Sequence, residues 1–150
     1  MQRRALLYHV TPRLVFGDFN DITSNDEKAG GRLRSESSFE AFRSMIASNR
    51  LHDLQTIGGN FTWVGSRHAY VVRSKIDRAM VNTLWSDLFP SAYTQLLTWM
   101  GFDHRPLLLG RSDVNIFLHI SLVKLLLTVE MLLHGGNALP IPIPVNRLMS

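Results

Sequence analysis

The stretch Val15-Phe16-Gly17-Asp18-Phe19-Asn20 places the strongest constraint on how this chain can fold. Leu14-Val15-Phe16 is an unbroken apolar run, the composition of a strand buried on both faces, and it stops at Gly17. Such a strand would present Asp18 and Asn20 together at its C-terminal rim, where α/β sheets keep their chemistry. An aspartate there offers a charged oxygen for a metal or for activating water. An asparagine offers both a donor and an acceptor, suited to holding a phosphate oxygen. The same letters also describe an ordinary Asx-type turn, and the two readings are open until the rest of the chain is considered.

The chain has 150 residues, enough for one ordinary domain, and its 45% apolar and 19% charged content allow a packed core. It contains no cysteine, so disulfides and thiolate metal sites are excluded. Any metal must be held by Asp, Glu, Asn or His, which favours Mg²⁺ or Mn²⁺ over structural zinc. The whole of the +4 net charge lies in residues 1–111, with 14 Lys and Arg against 10 Asp and Glu; residues 112–150 are neutral. That asymmetry suits a phosphate-rich partner and equally suits a plain basic domain. The short run Ala5-Leu6-Leu7-Tyr8, broken by His9 and Pro12, gives no secretory signal, so a nuclear or cytoplasmic location is expected over a secreted one.

Along the chain, residues 20–34 read as a long polar loop. Ser37 and Glu40 form a capping box that predicts an amphipathic helix over about 38–49, with Phe39, Phe42, Met45 and Ile46 on its core face. Leu51 to Ile57 predicts a short strand. Phe61 to Val64 and Ala69 to Val72 predict a hairpin whose loop is Gly65-Ser66-Arg67-His68. Ile76 to Val81 predicts a strand, Asn82 caps a short helix containing Trp85, and Ala92 to Trp99 and Pro106 to Leu109 predict two further strands. The character changes at about residue 111. Residues 116–133 are almost wholly apolar and predict a buried hydrophobic helix, followed by a Pro-rich end containing Pro140, Pro142 and Pro144. A membrane span is the second reading, against which Lys124 and Glu130 inside the run both count.

Four islands stand in order: Gly17-Asp18-Phe19-Asn20, Phe61-Thr62-Trp63, Lys75-Ile76-Asp77-Arg78, and Asp103-His104-Arg105-Pro106-Leu107. Over about residues 12–109 the chain resembles the second half of an endonuclease/exonuclease/phosphatase domain. It is similar in particular to the endonuclease of plant LINE-type (non-LTR) retrotransposons, a narrower match strengthened by Glu27-Lys28-x-Gly30-Gly31, Asp53-Leu54 and Trp85-x-x-Leu88-Phe89-Pro90. The resemblance implies an α+β fold in which two β-sheets pack together with flanking helices, and Mg²⁺-dependent (or Mn²⁺-dependent) cleavage of DNA phosphodiesters at one rim. It implies that Asp18 orients or deprotonates the attacking water, that Asn20 holds the scissile phosphate, and that His104 contacts a phosphate oxygen. Asp77 would fix the tautomer and charge of His104, and Asp103 would lie beside the metal. Arg67 and His68, at the expected hairpin tip, are candidate contacts to the DNA backbone. Trp63 reads as a packing residue. His9, His52, His119 and His134 match nothing in the family.

The departures set the functional expectation. The family's first half carries an asparagine, a metal-binding glutamate, and further tyrosine and histidine residues of the site, and residues 1–11 hold none of these motifs. Glu27 and Glu40 stand in a loop and a helix, not in place of that glutamate. Phe102 stands where the family usually has serine before Asp-His. The expected molecule is therefore a partial endonuclease-type sandwich over 12–111 with an unrelated apolar tail over 112–150. Cleavage by it alone would be weak or absent unless another polypeptide completes the site. A non-catalytic nucleic-acid binder and a phosphoesterase of the same superfamily are the alternatives, and a membrane partner is not expected.

Overall fold

The computed structural model describes the backbone of residues 11–111, 114–120, 127–134 and 137–143, and the side chains of 11–110 apart from Arg67. The described residues form a mixed α+β structure with three small sheets and two short α-helices. In chain order the elements are β1 (Arg13–Asp18), β2 (Lys28–Ala29), α1 (Glu40–Ser48), β3 (His52–Asp53), β4 (Thr56–Ile57), β5 (Trp63–Arg67), β6 (Tyr70–Ser74), β7 (Asp77–Val81), α2 (Thr83–Leu88), β8 (Ala92–Leu96), β9 (Leu107–Arg111), β10 (Val114–Ile120), β11 (Leu127–His134) and β12 (Asn137–Ile143). The sheets run β12-β11-β1-β7-β3, β10-β9-β8-β4 and β2-β6-β5.

β1 is the buried strand that its composition predicts, and its two faces go to two different cores. Leu14 and Phe16 join Ala79 and Val81 of β7, Trp85 of α2, and Ala92, Leu96, Leu107 and Leu109 of β8 and β9. Val15, one residue out of phase, packs with Met80, Leu51 and Phe42, so α1 covers the other side of the same sheet. Asn82 caps α2 as predicted, accepting from Trp85 N at 3.1 Å. It also ties the helix to the start of β1, accepting from Arg13 N at 2.9 Å and donating to Thr11 O at 2.7 Å.

Three local expectations change. Ser37 makes no cap; it lies inside a 3₁₀ turn, Glu36–Phe39, and α1 starts at Glu40. Arg34 braces this turn, donating from Nε to Ser38 Oγ at 3.1 Å and from Nη2 to Ser38 O at 2.9 Å. The strand expected over 51–57 divides: β3 pairs with β7 and β4 pairs with β8, with buried Leu54 at the crossing between the two sheets. The hairpin is longer than expected. β5 runs through Arg67, and the turn is His68-Ala69, both with positive φ (47° and 68°), a backbone that matches the twist of the flanking strands.

The largest correction concerns the tail. The helix expected over 116–133 is not formed where the backbone is described; Val114–Ile120 is β10 and Leu127–His134 is β11, with 121–126 outside the described residues. β10 pairs antiparallel with β9, and β11 pairs antiparallel with β1 from Arg13↔Glu130 to Phe16↔Leu127. The physical reason is the sheets themselves. Without these partners β9 and β1 would be edges with unpaired N–H and C=O groups, and pairing satisfies them across a strand's full length. Pro140 and Pro142 of the Pro-rich end likewise lie in a strand, β12, on the outer edge where proline is tolerated, with Pro144 outside the described residues. Among the described residues no helix is long and apolar enough to cross a membrane.

Candidate active site and adjoining cleft

Three residues from sequence-distant islands meet at the end of the β1–β7 ladder. The register pairs Asp18 directly with Asp77, the last pair of that ladder. Ligand atoms of Asp18, Asp77 and His104 all lie within 4.8 Å of one another. His104 is brought there by backbone pairing: Trp63 and His104 form an isolated antiparallel bridge, Val64 N donates to Asp103 O at 2.8 Å, and Arg105 N donates to Thr62 O at 2.6 Å. Its Nδ1 then lies 2.9 Å from Asp77 Oδ2, which leaves Nε2 as the outward-facing nitrogen.

The Asx-type reading of Gly17–Asn20 holds, on a strand end that also brings Asp18 to the sheet rim. Asn20 N donates to Asp18 Oδ1 at 2.8 Å and Asn20 takes a φ of 52°, so the Asx-type turn is real. The other oxygen, Asp18 Oδ2, is buried and has no hydrogen-bond partner among the described residues. A buried carboxylate oxygen without a donor is costly.

Asp77 does not pair with Arg73 or Arg78. Arg78 follows it in the strand and points to the opposite face, where it binds Glu27 and Asp53. Burial pushes the Asp77 carboxyl above the usual carboxylate range; hydrogen bonds from His104 and Thr62 and the nearby imidazole pull it back in part, and the facing Asp18 pushes it up further. A carboxyl raised in the folded state contributes stability that is present at low pH and lost as pH rises through the folded pKa. Replacing Asp77 with Asn removes that titration. The stability difference between wild type and Asp77→Asn, followed by urea melts from about pH 3 to pH 7, is thus expected to shift in favour of the variant as pH rises. A difference that moves the other way would show that the His104 contact outweighs burial.

Thr62 is the residue that sequence reasoning missed. It is 1% exposed, and its hydroxyl oxygen accepts from Ile76 N at 3.0 Å and Asp77 N at 2.9 Å, fixing the start of β7. Its signal was the threonine at the centre of the Phe61-Thr62-Trp63 island. Trp63 packs across its own strand: a Cβ on Gly65 would come within 2.2 Å of the indole, so only glycine leaves room for the ring.

The other predicted residues border the site and do not join the trio. Asp103 is exposed; its Oδ2 accepts from Trp63 Nε1 at 3.3 Å and stands 4.0 Å from His104 Nε2. Asn20, Asp103, His104 and His68 all line one open cleft of about 840 Å³, together with Lys28, Arg32 and Tyr70, which the sequence had placed only in a loop and a strand. Arg67 is placed at the hairpin end by its backbone, opposite Tyr70. The arrangement offers an outward imidazole nitrogen, a carboxylate with one uncompensated oxygen, and a basic and aromatic cleft beside them. No family model matches the chain, and comparison with curated proteins and with solved structures gives no match either.

Proposed function

We propose that this chain carries part of an endonuclease-type phosphodiesterase site of retrotransposon origin, with DNA as its partner, on a partial two-sheet sandwich. The observation that supports this reading is the convergence of Asp18, Asp77 and His104 from three separate islands onto one sheet end, with Asn20 and Asp103 on the adjoining cleft. Phosphoryl chemistry needs little more from a protein than positioning and charge neutralisation. Asp18 Oδ2 would orient or deprotonate water. His104, held by Asp77 through Nδ1, would present Nε2 to a phosphate oxygen, with Asn20 at the rim as a further phosphate contact.

The donor set fits a divalent cation such as Mg²⁺ or Mn²⁺ only in part. The ligand atoms that lie together are those of Asp18, Asp77 and His104, of which Asp77 is already engaged by His104; Asp103 lies outside that group, exposed on the cleft. A cation bound there would neutralise charge developing on the phosphate. Among the described residues the cluster contains no glutamate, and Glu27 is held by Arg78. The expectation is therefore plasmid nicking at or near background when this chain is incubated alone with Mg²⁺. Robust nicking that Asp18→Ala and His104→Ala each reduce by about 100-fold or more would show instead that the site is complete.

The cleft favours a second reading, a non-catalytic nucleic-acid binder. Lys28, Arg32 and His68 with Trp63 and Tyr70 combine phosphate-neutralising and stacking groups. That reading is distinguished by salt-sensitive DNA binding that survives Asp18→Ala.

A further inference from the structure

The loop joining β8 to β9 carries three large apolar side chains in the open: Trp99 is 36%, Met100 64% and Phe102 49% exposed. Single exposed apolar residues are common, but three within four residues are not scattered. The loop is firmly held at both ends. Leu96 pairs with Leu107, and Leu97 N donates to Pro106 O at 3.0 Å. The Arg105 guanidinium donates to Leu97 O at 2.8 Å and Gly58 O at 3.1 Å, and lies 5.7 Å from the Trp99 ring. On the far side, the bond from Val64 N to Asp103 O anchors the chain again. Between these anchors the tip turns at Gly101, whose φ is +85° and around which a Cβ would meet nothing within 4 Å.

Phe102 immediately precedes Asp103 and His104, which line the cleft that also contains Lys28, Arg32 and His68. Trp99, Met100 and Phe102 lie outside the lining of that cleft, but the chain enters it at Asp103, so a polyanion extending past Asp103 would carry its bases towards the loop. Building on the phosphodiester reading of the cleft, we propose that Trp99, Met100 and Phe102 form an apolar wedge that unstacks one base step of duplex DNA beside the bound phosphate. Rigid apolar side chains inserted between base steps are a general means of kinking a duplex, and aromatic rings replace the base stacking that is lost. A second protein surface is a poorer occupant, because three side chains are far less than the roughly 800 Å² per partner of a stable interface. A bilayer would leave the phosphate-facing cleft beside the loop without a role.

The test uses the full chain and short duplexes carrying a single 2-aminopurine moved stepwise along the sequence. Wild type is expected to bind with steep salt dependence and to raise the fluorescence at one or two adjacent positions. Met100→Ser, Phe102→Ser and the double variant are expected to lose that rise and to bind roughly tenfold more weakly, with the salt slope and thermal melt unchanged. Leu84→Ser, at an exposed apolar residue on α2, is expected to behave as wild type. DNA binding with no fluorescence rise, or a rise that persists in the double variant, would overturn the wedge and leave the cleft reading standing. No DNA binding at all would overturn both. A self-association or an affinity for anionic vesicles that the double variant abolishes, without any change at DNA, would assign the loop to a protein or lipid partner and also overturn the proposal.

Discussion

Arg78→Met is expected to destabilise the protein by about 3–5 kcal/mol at pH 7, the range for removing one partner of a buried ion pair. Arg78 is 2% exposed. Its Nη1 lies 2.9 Å from Glu27 Oε1 and 2.8 Å from Asp53 Oδ2, its Nη2 also binds Glu27 Oε2, and Nη2 donates to Lys75 O at 3.2 Å. Methionine fills much of the same volume, so the loss would come from leaving two carboxylates without their cation and not from a cavity. Lys75, 2.6 Å from Asp53 Oδ2, would compensate only that one. The triple variant with Glu27→Gln and Asp53→Asn removes the stranded charges and should recover at least about half of the loss in a denaturant melt. Acid supplies a second check. Burial alone would raise the Glu27 carboxyl, but hydrogen bonds from Arg78 and from Thr23 N–H hold it below the usual range. A depressed carboxyl contributes stability that is present at neutral pH and lost as pH falls through the folded pKa, so the penalty of Arg78→Met should shrink in acid. If it is constant between about pH 7 and pH 3, packing and not charge explains the loss.

Thr62→Val is the second large effect, expected at about 2–4 kcal/mol. The substitution keeps the shape and removes an acceptor, leaving the N–H groups of Ile76 and Asp77 buried without a partner. Thr62→Ser keeps the hydroxyl and should restore most of the stability. Because the two N–H groups open β7, the same change should loosen Asp77 and with it the orientation of His104. Amide exchange in β7 should rise in the Val variant while exchange in α2 changes little. Uniform acceleration across the chain would point to global destabilisation alone.

The features legible in the sequence share a physical basis. β1, β7 and α2 were readable because each carries its own signal: an unbroken apolar run ending at Gly17, strand composition after Asp77, and a capping Asn82. The meeting of Asp18, Asp77 and His104 was anticipated from the order of the islands and not from local pattern. What was illegible depends on partners far along the chain. Residues 114–120 and 127–134 are apolar enough for a helix or for strands, and only the open edges of β1 and β9 decide for strands. His68-Ala69 contains neither Gly nor Asn, so nothing local marks it as the turn. The link from Arg78 to Glu27 and Asp53 crosses 51 and 25 residues, and no spacing rule predicts it.

The register that sets Asp18 opposite Asp77 also has a kinetic consequence. The contacts that surround it join residues 69, 51 and 27 positions apart, between Arg13 and Asn82, Glu27 and Arg78, and Asp77 and His104. Closing such loops before their contacts reward the closure slows folding, typically to milliseconds or longer. The two carboxylates come together only once the β1–β7 ladder is zipped to its end. A chain with that end of the ladder frayed would retain much of its core while the two carboxylates stood apart.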